Sequence, residues 1–389
     1  MVFFILCYFC ANLPDSFYRD KNVSKEFSVN AALKVTADDH GAVNAGFSLN
    51  AAFPGASHST LKFMGLIPVK NVEVHDIDVP ELVPCGTPFG IKIMMDGVMV
   101  ISTGEIQSGA GTTSPAGMAG IQKGDIIKSI NSINVYSNDD ISRILSGCSQ
   151  NETVEIDLCR DGRTIRVHAV PVYSSIDKKY ELGLWVRDSS AGIGTVTYYN
   201  TSNGTFGGLG HPVCDCDTGE ILPLSSGEVA DVEIRTVKKG KAGYPGELQG
   251  YFTDSSPCGE LYINNKFGVF GKMDNPCPGA KTIPMGLKQE IKKGKACIYS
   301  TLCGDSPESY EIEITEINYA NTDTSKNMII KITDPELLSK AGGIVQGMSG
   351  SPIIQNGKLI GAVTHVFVND PTMGYAVFCE NMYEMSFVN

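Results

Sequence analysis

Short runs rich in Val, Ile and Thr, broken again and again by glycine, recur along most of this chain. Helical spacing of apolar residues is rare. That pattern predicts mainly β structure. Residues 26–80 give alternating runs such as Leu61-Lys-Phe63 and Val72-Glu-Val74, read as a small β segment with no legible function. Residues 12–25 are polar and mixed in charge, and read as a linker. From about residue 81 to 173 the pattern is more specific. A turn at Thr87-Pro88-Phe89-Gly90-Ile91 enters a strand, and a Gly124-Asp125 turn opens another. Ser137-Asn-Asp-Asp140 fits a capping box ahead of Ile141, Ile144 and Leu145 at helical spacing, with Gly147 as a stop. Two strands then flank Arg160-Asp-Gly162-Arg, predicting a hairpin with an Asp-Gly turn. From residue 174 to the end the rhythm is strand, turn, strand, as in a barrel or sandwich.

Met1 to Ala11 are almost all apolar. They are fewer than the roughly 20 residues that span a bilayer, and no Lys or Arg precedes them as in a signal sequence. Residues 1–25 are therefore expected to hold the tail of a signal or membrane anchor that starts upstream, followed by the linker. This implies export.

The chain's 389 residues suffice for two or three domains. A net charge of −12 argues against a nucleic-acid partner, which needs a basic surface. The only dense basic stretches, Lys238–Lys241 and Lys292–Lys295, read as turns. Twelve cysteines form no recognisable disulfide framework. Cys214-Asp-Cys216 has too short a spacing for a zinc knuckle. No metal or cofactor is expected.

The chemistry concentrates at Gly347-Met-Ser349-Gly-Ser351-Pro, set between two apolar runs. A serine at a tight, glycine-flanked turn offers an exposed hydroxyl beside free backbone N–H groups, the pairing acyl transfer requires. Such a serine needs a base. Of six histidines, His211, in Phe206-Gly-Gly-Leu-Gly-His211-Pro, is the best, because three glycines permit close backbone approach. His365, in the apolar run Ala362-Val-Thr-His365-Val-Phe, reads as a structural residue. The orienting acid is left open by spacing alone, with Asp231 and Asp254 nearer the middle of the His–Ser interval.

The stretch Ala119-Gly-Ile-Gln-Lys-Gly-Asp-Ile-Ile-Lys-Ser-Ile-Asn131, with the helix and hairpin after it, resembles a PDZ domain. That likeness implies a peptide added as an extra strand, with a carboxylate held by the loop Pro88, Phe89, Gly90 and Ile91. The serine motif resembles that of chymotrypsin-like proteases. Their alignment implies Ser349 rather than Ser351 as nucleophile, with the N–H groups of Gly347 and Ser349 as oxyanion hole. Met348 stands where those proteases carry Asp, so their zymogen switch is absent. Phe206–His211, Pro245–Gly250 and Gly342–Gly357 together, with Gly65–Lys70 upstream, are similar to the stage IV sporulation protein B (SpoIVB) peptidase family.

That resemblance implies a double-barrel peptidase domain over 174–389 behind the PDZ domain, and a triad of His211, Asp334 and Ser349. It also implies the family's role. Its members are exported into the space between forespore and mother-cell membranes. There they cut themselves and a membrane-bound regulator of an intramembrane protease, so activating a late mother-cell sigma factor. Protein substrates and a C-terminal or internal peptide in the PDZ groove are the implied partners. The rival is a non-catalytic scaffold that binds peptides through the PDZ domain. A Ser/His esterase is disfavoured, because no nucleophile elbow is present.

Overall fold

The computed structural model describes residues 13–22, 27–30, 33–37, 56–109, 111–253, 256–319 and 325–386. The apolar segment at residues 1–11 lies outside them, as do His40 and Asp254. No helix among the described residues is long and apolar enough to cross a membrane. The chain divides into two compact units. One comprises residues 91–192 and 213–228, and the other comprises the remainder.

The smaller unit is built as the sequence predicts. Strand Ile126–Ile130 pairs antiparallel with Val154–Arg160, which turns back onto Arg163–Ala169. The hairpin closes with positive φ at both Asp161 and Gly162, the geometry that lets an Asp-Gly pair match the strands' twist. Ser137 caps helix Asn138–Ser146 and both arms of the capping box with Asp140 form. Val98, Val100, Ile127, Ile130, Val154, Ile156 and Leu158 are buried together with Ile141 and Leu145 of that helix. Asp125 of the Gly-Asp turn is also buried, its carboxylate accepting two hydrogen bonds from Arg160, at 2.6 and 2.7 Å.

In the larger unit, five N-terminal strands form one sheet. Its edge strand, Ser16–Asp20, falls in the stretch expected to be a linker, and pairs in parallel with Glu73–Ile77. The reason is Phe17 and Tyr18, two aromatics amid polar residues, both of which are buried. Six further strands close a barrel in the order Gly294–Ser300, Glu308–Ile317, Met328–Ile332, Asp370–Phe378, Lys358–Phe367 and Pro352–Gln355. Closure leaves no unpaired sheet edge. Inward residues alternate with exposed ones, as in Tyr310, Ile312 and Ile314, separated by the exposed Glu311 and Glu313. The expected fold class holds: mainly β, with a PDZ unit and a barrel in the peptidase region. Of the two barrels implied, one is closed, and the hairpin strands Gly259–Asn265 and Gly268–Met273 belong to an open sheet.

Candidate active site

The serine loop lies on the barrel between helix Pro335–Ala341 and strand Pro352–Gln355. Its shape comes from glycines at positive φ: +97° at Gly347 and +98° at Gly350. Any Cβ on Gly350 would sit 2.0 Å from the Thr195 carbonyl oxygen and 2.6 Å from the Leu209 nitrogen. Only glycine fits there. Met348 points into the barrel core and is fully buried. Where the chymotrypsin-like pattern has an acid, packing here demands an apolar side chain.

Two threonines clamp this loop. Thr195 donates its hydroxyl to the Gly347 carbonyl (2.7 Å) and its N–H to the Ser349 carbonyl (3.1 Å). Thr197 donates to the Gly350 carbonyl at 2.7 Å. With the loop carbonyls engaged in this way, the amides of Gly347 and Ser349 donate to no acceptor among the described residues. Two adjacent uncommitted N–H groups are what an oxyanion hole needs. The motif Pro245–Gly250 flanks the loop: Gln346 N–H donates to Gly246 and accepts from Leu248 N–H through its carbonyl, each at 2.8 Å.

Of the two serines, Ser351 is fully buried, with its hydroxyl unpartnered, whereas Ser349 is only partly buried. The Ser349 hydroxyl donates to the Thr364 carbonyl at 2.7 Å. The glycine-rich turn carrying His211 packs against the same place. Leu209 adopts φ of +65°, held by its N–H to the Thr195 carbonyl (3.2 Å), and a Cβ on Gly210 would meet Thr364 Cγ2 at 2.9 Å. His211 Nδ1 lies 2.8 Å from the Pro212 carbonyl. A carbonyl only accepts, so the proton is on Nδ1 and the Nε2 lone pair is free to take one. Burial lowers the His211 pKa from its ordinary 6.5, outweighing that bond, so the ring is neutral at pH 7.

A model of the SpoIVB peptidase S55 family matches residues 178–383, more than half of the chain. The chain belongs to the SpoIVB peptidase S55 family. It is a serine peptidase. A PDZ-domain model matches residues 81–169. Among curated proteins no sequence matches significantly. Among solved structures the PDZ domain of an SdrC-like protein from Listeria monocytogenes is similar, at 18% identity over 25% of this chain and 93% of that one. Its TM-score is 0.21, too low to add to the fold.

In this S55 peptidase the structure gives two of the expected site segments other partners. Asp334, implied as the triad acid, is the N-cap of helix Pro335–Ala341. One carboxylate oxygen accepts from the N–H groups of Glu336 (2.9 Å) and Leu337 (3.0 Å), and the other from Glu311 N–H at 3.3 Å. It makes no hydrogen bond or ion pair with either histidine of the site. The register explains why: His365 pairs with Tyr375, which pairs with Ile329, and the strand then runs on to Ile332. That is about 10 Å further along before Asp334 is reached.

The second is the PDZ loop. Pro88, Phe89, Gly90 and Ile91 are all buried within strand Pro88–Thr103. The Phe89 ring packs edge-on against Phe206, centroids 5.7 Å apart. The PDZ unit has a groove of about 570 Å³ between helix Asn138–Ser146 and the segment Tyr180–Asp188. Its lining mixes Ile141, Leu145, Leu182, Leu184 and Trp185 with the charged Glu105, Asp177, Lys179, Glu181 and Asp188. Leu182-Gly183-Leu184, a glycine between apolar residues, was the available sequence signal.

Elsewhere in that unit Asp215 and Asp217 close on Arg187, with nitrogen–oxygen distances of 2.6 and 2.7 Å. The guanidinium also donates to the Cys216 sulfur at 3.2 Å. The sequence reading also missed Thr195 and Thr197. Their signal was two hydroxyls at alternate positions of an apolar strand, hence on one buried face.

Proposed function

We propose that this S55 peptidase is an exported sporulation-signalling enzyme. It cuts itself and a membrane-bound regulator of an intramembrane protease, in the space between forespore and mother-cell membranes, and so leads to activation of a late mother-cell sigma factor. Family membership supports this reading, and the observation that carries the chemistry is the Ser349 loop with two uncommitted N–H groups packed against the His211 turn.

In the proposed reaction the Ser349 hydroxyl leaves the Thr364 carbonyl by rotating about χ1. Its oxygen bonds to the substrate carbonyl carbon as its proton passes to His211 Nε2. The carbonyl oxygen becomes an oxyanion held by the Gly347 and Ser349 N–H groups. His211 returns the proton to the leaving amine as the peptide bond breaks. A water, deprotonated by the same nitrogen, then hydrolyses the ester on Ser349. The Pro212 carbonyl fixes the imidazole tautomer, the task an acid performs elsewhere.

Purified full chain incubated with the ectodomain of its candidate regulator tests this reading. Ser349→Ala should abolish both self-cleavage and regulator cleavage. Undiminished cleavage would reject the assignment, and a folded wild-type chain that cuts neither would favour the peptide-binding scaffold.

A further inference from the structure

We propose that His365, on the barrel strand Lys358–Phe367, is the positioning residue that holds His211 and stabilises it when it carries the proton of Ser349. The inference rests on Ser349 and His211 being nucleophile and base.

The imidazole rings of His211 and His365 face one another, with centroids 4.8 Å apart and a tilt of 38°. The antiparallel register shifts between Val363 and His365, so Thr364 bulges there. Bulges re-aim side chains beside active sites. Here the result is that adjacent residues serve both reacting partners: the Thr364 carbonyl receives the Ser349 hydroxyl, and the His365 ring covers His211.

His365 is built to stay neutral. Its Nδ1 is buried without a hydrogen-bond partner, a tolerable place for a lone pair and a costly one for an N–H. Two charges or potential charges face it. His211 comes from the Gly207–Pro212 turn, and Lys326 precedes strand Met328–Ile332; its ammonium lies over the ring of Tyr375, the residue paired with His365. Burial, His211 and Lys326 together lower its pKa to about 4. A neutral aromatic face within about 6 Å attracts a cation. When Ser349 gives up its proton, the new imidazolium therefore lies against a ring that can stabilise it. This face and the Pro212 carbonyl both border the protonated base. His365 also excludes water from His211, maintaining the burial that lowers its pKa.

The test is the rate of fluorophosphonate labelling of Ser349 in the full chain, measured from pH 4.5 to 8 in wild type, His365→Ala, His365→Phe and His211→Ala. Phe preserves a ring face and the exclusion of water but has no titratable nitrogen. His365→Ala should label about tenfold more slowly, with its acid limb moved up toward 6.5 as water reaches His211. His365→Phe should stay within about threefold of wild type, with the limb unmoved. Labelling of His365→Ala at the wild-type rate and pH profile would overturn the inference alone, as would His365→Phe falling as far as His365→Ala. An unlabelled wild type, or an unimpaired His211→Ala, would sink the peptidase assignment and the inference with it.

Discussion

Gly350 is the residue at which the site tolerates least. Alanine there would place a methyl 2.0 Å from the Thr195 carbonyl oxygen at a φ of +98° that side chains avoid. Gly350→Ala should displace the serine loop and lower labelling by at least about a hundredfold, comparable to losing an oxyanion donor. Thr195→Val is subtler. It keeps the volume but removes the hydroxyl on Gly347, and should cost about 1 kcal/mol in urea unfolding, with a larger loss in kcat than in KM. The acid limb of kcat/KM should fall below pH 6.5, because burial lowers the His211 pKa and the neutral ring is the base. At this scale the sequence was legible where a motif is short and continuous: Ser349 and His211 announce themselves through their glycines. His365 did not, since a histidine in an apolar strand looks like packing until the His211 turn is seen folded onto it. Asp334 is not legible from sequence alone, because a helix cap and a triad acid are both an Asp before Pro at a turn.

Among the elements, helix Pro335–Ala341 carries the consequence of the Asp334 cap. Asn caps as well as Asp does, whereas Ala leaves two amides unsatisfied. Asp334→Asn should therefore retain activity and stability, and Asp334→Ala should lose about 1 kcal/mol of stability in urea unfolding. A triad acid would behave differently, with Asp334→Asn losing activity by several orders of magnitude. The helix Asn138–Ser146 and the hairpin at Asp161–Gly162 were legible because capping box and turn chemistry are local. Strand Ser16–Asp20 was not, because its two buried aromatics sit in a polar stretch whose partner lies at Glu73–Ile77. The groove beside helix Asn138–Ser146 carries Trp185, the only tryptophan of the chain and 70% exposed. A hydrophobic peptide added to the full chain should blue-shift its emission, and Leu145→Asp should abolish the shift.

For the whole molecule, pH acts through the two neutral imidazoles. His365 takes a proton at about 4 when folded and near 6.5 when unfolded. Between those values the unfolded chain binds more protons, so its contribution to stability falls as pH drops from 6.5 toward 4. The urea midpoint of wild type should fall more over that window than the midpoint of His365→Phe. The β class was legible from strand rhythm, which left barrel and sandwich both open. The site was legible only in part, since residues 195–211, 246–248, 347–350 and 364–365 meet through long-range pairing that no local pattern encodes.

The central claim is that Ser349, served by His211, is the nucleophile. Peptide mapping of the full chain after fluorophosphonate treatment tests it most directly. The adduct should lie on Ser349 and disappear in His211→Ala. An adduct on Ser351, or none on the folded protein, would contradict it.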